Sequence, residues 1–149
     1  MPDYLETTVD KFIFRVASDR SYSAEGIWAL AEGDRVRIGM SDFLQQFSGD
    51  VAFAELRSEG TTLDTGDEVA VIETIKVDLT VTSPIGGTVV GVNPAIELSP
   101  ELINQDPYGQ GWLVVIEARD WPTDRDALLD AQAYFQRMKA QAEAEARRS

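Results

Sequence analysis

From Thr74 to Thr82 the chain alternates without a break. Ile75, Val77, Leu79 and Val81 are apolar, while Thr74, Lys76, Asp78, Thr80 and Thr82 are polar. A period of two is the pattern of a β-strand with one buried face. Carried back to Glu68, the run covers 15 residues, roughly 50 Å of strand at about 3.3 Å per residue. A compact chain of 149 residues has a radius of gyration of about 15 Å, and so a diameter of roughly 38 Å. The strand does not fit. The run has to fold back on itself near its middle, close to Lys76, although no Asn-Gly, Asp-Gly or Pro marks a turn there.

Around this run the chain reads as short β segments. "KFIFRVA", "IWALAE" and "RVRIG" are strands between turns at Asp19–Ser23 and Gly33-Asp34. In "SDFLQQF", Ser41 is placed to cap a short helix with Phe43, Leu44 and Phe47 on one face, and Gly49-Asp50 stops it. "VAFAEL" and "TVVGVN" continue the β pattern, with turn signals at Gly60, Gly66 and Ser83–Gly87. "SPELIN" predicts a helix capped by Ser99 with Pro100 at its first position, and "WLVVIEA" is the last strand. After Trp121-Pro122 the composition turns helical, with a stripe of Leu128, Ala131, Phe135, Met138 and Ala142. "GDVAFAEL" and "GDEVAVIE" echo each other, which suggests a sheet of two similar halves. The fold class is mainly β, a barrel or sandwich with helical additions.

Charge and missing residue types narrow the function. A net charge of −13 argues against nucleic acid or anionic membrane as partner and favours a monomer. No apolar run approaches the roughly 20 residues of a membrane span, and the acidic N-terminus lacks a signal-peptide layout, so the cytoplasm is expected. With no cysteine and no histidine, thiol nucleophiles, Ser-His and Cys-His pairs and the usual zinc sites are excluded, and no metal site is predicted. Reactive chemistry in such a chain belongs to an attached group.

The spacing around Lys76 resembles the H-protein of the glycine cleavage system, a specialised lipoyl domain. Gly66 stands ten residues before the lysine, Glu73 three before, Pro84 eight after and Gly87 eleven after. "IGMSDFLQQFSGDVAFAEL" and "NPAIELSPELINQDPYGQGW" are similar to the family's first half and to its most specific segment, and Trp28 matches the tryptophan of its early His-Glu-Trp. The resemblance implies a flattened lipoyl-type β-barrel or sandwich (a barrel-sandwich hybrid) over residues 1–121, with a helical extension over 122–149 packed on it. It also implies a lipoyl amide on Lys76 at the tip of a hairpin, with Gly66–Ile75 and Val77–Thr82 as arms whose apolar faces both lie on the core. Ile75 and Val77 flank the tip, and Glu73 and Asp78 read as recognition marks for a lipoate ligase or lipoyl transferase, or as solvated charges. Biotinyl domains use a similar hairpin but centre it on Met-Lys-Met, unlike Ile75-Lys76-Val77 here. An unmodified, solvent-facing lysine is the remaining alternative.

The chain also departs from the family. His-Glu-Trp is here Gly26-Ile27-Trp28, the Glu-His of the first short helix is Asp42-Phe43, and the Ala-Ala after the lysine is Val77-Asp78. Ile27 and Phe43 are expected to make the surface near the arm more apolar than a cationic aminomethyl cargo wants. The leading expectation is therefore a carrier, not an enzyme. It passes sulfur intermediates within a heterodisulfide reductase-like sulfur-oxidation system, with lipoamide dehydrogenase as a further partner. The alternative is the aminomethyl carrier that serves the glycine cleavage enzymes. A non-carrier relative that stores lipoate or binds partners is the third reading.

Overall fold

The structure is a computed structural model and describes residues 3–148. It opens with an antiparallel hairpin of β1 (Tyr4–Val9) and β2 (Phe12–Ala17), whose turn holds Asp10 at a φ of 58°. The first strand escapes a sequence reading because only Leu5 and Val9 are apolar on its inward side. β3 (Ser21–Tyr22), β4 (Ile27–Glu32) and β5 (Arg35–Met40) follow. α1 (Asp42–Ser48) then begins where expected, with the Leu44 N–H donating to Ser41 Oγ at 3.3 Å. Phe43 is buried and Leu44 partly so, but Phe47 emerges at the helix end, 46% exposed. β6 (Val51–Leu56), β7 (Thr62–Leu63), β8 (Glu68–Thr74), β9 (Asp78–Thr82) and β10 (Gly87–Val92) complete the central β region.

Three local expectations change here. Asn93, not Ser99, caps a helix: its side chain accepts from the Ala95 N–H at the start of α2 (Pro94–Leu98). Ser99 ends that helix, and α3 (Leu102–Gln105) starts after Glu101 with no side-chain cap. Beyond β11 (Val114–Ala118), the helical tail is two helices, α4 (Trp121–Asp126) and α5 (Ala131–Arg148). The break exists because Leu129 exchanges both backbone hydrogen bonds with Tyr22, each 2.8 Å, and so docks the chain on β3. The buried stripe of α5 is Ala131, Tyr134, Met138 and Ala142, with Phe135 only partly covered. The two echoing segments are neighbours, β6 paired directly on β8, not two halves of a sheet.

The strands form a six-stranded sheet in the order β3-β4-β5-β11-β10-β7 and a three-stranded sheet in the order β6-β8-β9, with the β1–β2 hairpin separate. The sheets do not close into a barrel; the fold is mainly β, with short helices and a C-terminal helix. Two cores result. One joins Ile38 and Ile116 of the larger sheet to Val69, Ile72 and Val81 of the smaller, with Ile96 and Ile103 beneath the short helices. The second gathers Phe14, Tyr22, Trp28, Phe43, Tyr134 and Met138, which ties the N-terminal hairpin and α5 to the outside of β3, β4 and α1. In it the Tyr22 and Tyr134 rings stack with centroids 4.4 Å apart, and Arg20 lies over Trp28.

Candidate functional site

The reversal predicted from chain length lies between β8 and β9. Glu73 pairs with Asp78, Ile72 with Leu79 and Ala70 with Val81. From Ala70 onward even positions therefore turn inward on β8, and odd positions do so on β9, so the alternation changes phase at the turn. Ile75 and Val77, expected on the core face, are instead 75% and 48% exposed on either side of Lys76.

A two-residue hairpin loop ordinarily wants positive φ values, supplied by Asn or Gly. Neither Ile75 nor Lys76 has one. Thr74 replaces that chemistry with its side chain. The Thr74 N–H donates to the Val77 carbonyl at 2.9 Å, while the Val77 and Lys76 N–H groups donate to Thr74 Oγ1 at 3.0 and 3.1 Å. The hydroxyl itself lies 2.7 Å from the Ser48 carbonyl and 2.9 Å from that of Val77, with one proton to give. The Ile75 N–H donates to the Asp50 carbonyl at 3.1 Å. The tip is thus fastened to the loop that ends α1.

The same loop receives the lysine side chain. Lys76 Nζ donates to the Phe47 carbonyl at 2.9 Å and lies 5.8 Å from the centroid of the Phe47 ring. Its stem passes Gly49, where any Cβ would stand 3.1 Å from Lys76 Cδ. Beside it opens a groove of about 290 Å³. Phe43, Gln46 and Phe47 of α1 form one wall; Val9, Asp10, Phe12 and Phe14 of the hairpin and Ala142, Glu145 and Ala146 of α5 form the other.

The remaining predicted residues divide by position. Glu73 and Asp78 are exposed at the base of the turn, and neither pairs with a cation among the described residues. Gly66, Pro84 and Gly87 sit at the far end of the hairpin. There the Gly66 N–H donates to the Ser83 carbonyl at 2.8 Å, and a Cβ on Gly87 would strike the Glu117 carbonyl. They shape the scaffold and do not reach the lysine. Of the two apolar departures, only Phe43 faces the groove; Ile27 belongs to the main core, 3% exposed. Thr74, Gly49 and Asp10 went unread as site residues. Gly49 signalled a helix stop, but nothing in the sequence links positions 10 and 145 to position 76.

An acylated lysine fits this geometry, since the amide nitrogen keeps one N–H for the Phe47 carbonyl and the exposed tip leaves room for a stem. Residues 20–141 match the family model described as "Glycine cleavage H-protein". The chain belongs to the glycine cleavage H-protein family. It is 42% identical over 127 residues to a glycine cleavage system H protein of Thermus thermophilus, covering 85% of this chain and 98% of that one. It is 44% identical over 120 residues to that of Pseudoalteromonas atlantica, covering 80% and 92%. The crystal structure of a glycine cleavage system H protein from Mycobacterium marinum superimposes with a TM-score of 0.74 at 31% identity, over 81% of this chain and 97% of that one. H-proteins of this family hold lipoate covalently on a lysine and are carriers, not enzymes. The far wall of the groove, residues 9–14 and 142–146, lies outside the family-matching segment.

At the family's early His-Glu-Trp, Gly26 is buried with a φ of 95°, and a Cβ there would lie 2.9 Å from both Ser41 Oγ and Tyr134 Oη. Tyr134 of α5 fills the space that a histidine at this position would need.

Proposed function

We propose that Lys76 carries the lipoyl amide and that the protein is the aminomethyl carrier of a glycine cleavage system. It would work in the cytoplasm with a lipoate ligase or lipoyl transferase, the glycine-decarboxylating and aminomethyl-transferring enzymes, and lipoamide dehydrogenase. The observation that carries this reading is a lysine at a hairpin tip beside a groove of aromatic faces and carboxylates. A protonated amine gains from both ring faces and negative charge, so the exposed rings of Phe12 and Phe47 together with Asp10 suit a cationic cargo, with Glu145 beside them ion-paired to Arg148. The apolar surface expected near the arm comes from Phe43 and its neighbours, not from Ile27, and Asp10 makes it acidic as well. When attached, lipoate supplies a strained five-membered disulfide on a flexible stem, which opens to thiols that take up and release a group. The chain's own residues hold the tip, accept the amide N–H at Phe47 and line the resting place.

The buried Gly26 and Ile27 favour a second reading, in which the arm carries sulfur species for a heterodisulfide reductase-like complex. Neither residue can meet an amine as the family's polar pair would. The experiment supplies lipoylated protein to a glycine decarboxylase, an aminomethyltransferase and a folate acceptor, with Lys76→Arg as the unmodifiable control. Glycine cleavage near the rate of an established H-protein supports the aminomethyl carrier. A lipoylated protein that supports none removes it and leaves the sulfur cargo.

A further inference from the structure

We infer that Thr74 is a positioning residue for modification of Lys76. Its hydroxyl presets the turn that presents the ε-amine to a lipoate-attaching enzyme. This rests on the assignment of Lys76 as the modified lysine, but not on the cargo. Three features of the tip support it. The two loop residues lack the backbone conformations that close a two-residue hairpin unaided, since neither Ile75 nor Lys76 has a positive φ. Thr74 Oγ1 accepts two successive N–H groups, those of Lys76 and Val77, at 3.1 and 3.0 Å. The same oxygen lies 2.7 Å from the Ser48 carbonyl, so one atom both closes the turn and anchors it to the end of α1.

The flanking side chains cannot substitute. Ile75 and Val77 stand out into solvent and hold nothing in place. Without the hydroxyl, two backbone N–H groups at the tip lose their partner, and the tip keeps only the Ile75 to Asp50 and Thr74 to Val77 backbone bonds. The lysine would then sample directions away from Gly49 and the Phe47 carbonyl, and an attaching enzyme would have to order it on binding. The step itself is ordinary acyl transfer. The neutral ε-amine of Lys76 attacks the carbonyl carbon of an activated lipoyl anhydride such as an acyl-adenylate. A C–N bond forms, the C–O bond to phosphate breaks, the nucleotide leaves as its anion, and the amine gives up one proton. Thr74 touches none of these atoms; it sets where the amine starts.

The test compares wild type, Thr74→Val and Thr74→Ser as purified unmodified chains with a lipoate–protein ligase, lipoate and ATP, following intact mass with time. Amide exchange of residues 75–77 is measured on the same proteins. Thr74→Val is expected to lower kcat/KM about tenfold, the size of one or two lost hydrogen bonds, with faster exchange at Lys76 and Val77 and a melting temperature lower by no more than about 4 °C. Thr74→Ser restores both. Thr74→Val modified at the wild-type rate, or Thr74→Ser as slow as Thr74→Val, overturns the inference. If wild type itself stays unmodified, the Lys76 assignment falls instead, and the exchange comparison still decides whether the hydroxyl sets the turn.

Discussion

Gly49 and Asp10 show how single backbone positions shape the surroundings of Lys76. Gly49 ends α1 at a φ of 93° and a ψ of −175°, a region open essentially to glycine alone. It also leaves the lysine stem just enough room. Gly49→Ala is expected to cost about 1–3 kcal/mol in denaturant unfolding and to displace the Lys76 side chain. A loss below the error of the midpoint would mean that the loop relaxes freely. Asp10 poses the opposite case, since asparagine tolerates the left-handed conformation as well as aspartate does. Asp10→Asn therefore keeps the turn and removes only a carboxylate from the groove. Stability should stay within about 0.5 kcal/mol of wild type. Glycine cleavage by the lipoylated variant should fall up to about fivefold, the scale of one screened charge, while the rate of lipoylation holds. Equal cleavage by the two proteins would show that the cargo does not rest near Asp10.

Among the elements, α5 has the clearest energetic role, because its inner stripe closes the second core. Met138 is 1% exposed between the hairpin and the larger sheet, and Met138→Ala should destabilise the fold by about 2–5 kcal/mol in urea unfolding. A cost under about 1 kcal/mol would mean that α5 is only loosely attached. Elements of this kind were legible where one local pattern was sufficient. β4 and β6 coincide with the short apolar runs Ile27–Glu32 and Val51–Leu56, bounded by turn residues, and Ser41 caps α1 because its hydroxyl needs only the next turn of helix. The reversal at Lys76 was legible from length alone. Its phase change was not, since it depends on the Thr74 side chain closing the turn in place of glycine. The split between α4 and α5 was hidden for a similar reason. Leu129 leaves the helix to pair with Tyr22, more than a hundred residues earlier, although Asp130 does accept from the Ala133 N–H at 2.8 Å as a helix cap. The far wall of the groove joins the two ends of the described chain, and no local pattern reports such a meeting.

At the scale of the whole molecule, the second core couples folding to alkaline pH. Burial pushes the Tyr134 hydroxyl up to about 12, despite its bond to Ser41, and pushes that of Tyr22 higher still. In the unfolded chain both ionise near pH 10. Above that pH the unfolded state binds fewer protons than the folded state, so unfolding releases protons and stability falls as pH rises. The contribution of the neutral tyrosines is fully present below about pH 10. It is lost progressively from there through about pH 12 for Tyr134 and beyond for Tyr22, with a limiting slope of about 1.4 kcal/mol per pH unit for each. Each new phenolate also adds to a net charge already at −13, so self-repulsion acts in the same direction and is relieved by salt. Urea midpoints measured from about pH 8 to about pH 11.5 should therefore stay level at first and then descend steeply above pH 10. Tyr134→Phe should start about 1 kcal/mol lower for want of the Ser41 bond and then descend less steeply, because one of the three buried tyrosines that titrate there, Tyr22, Tyr108 and Tyr134, is gone. If the variant and the wild type run parallel through that range, Tyr134 ionises in the folded protein as readily as in water, and the second core is open to solvent at α5.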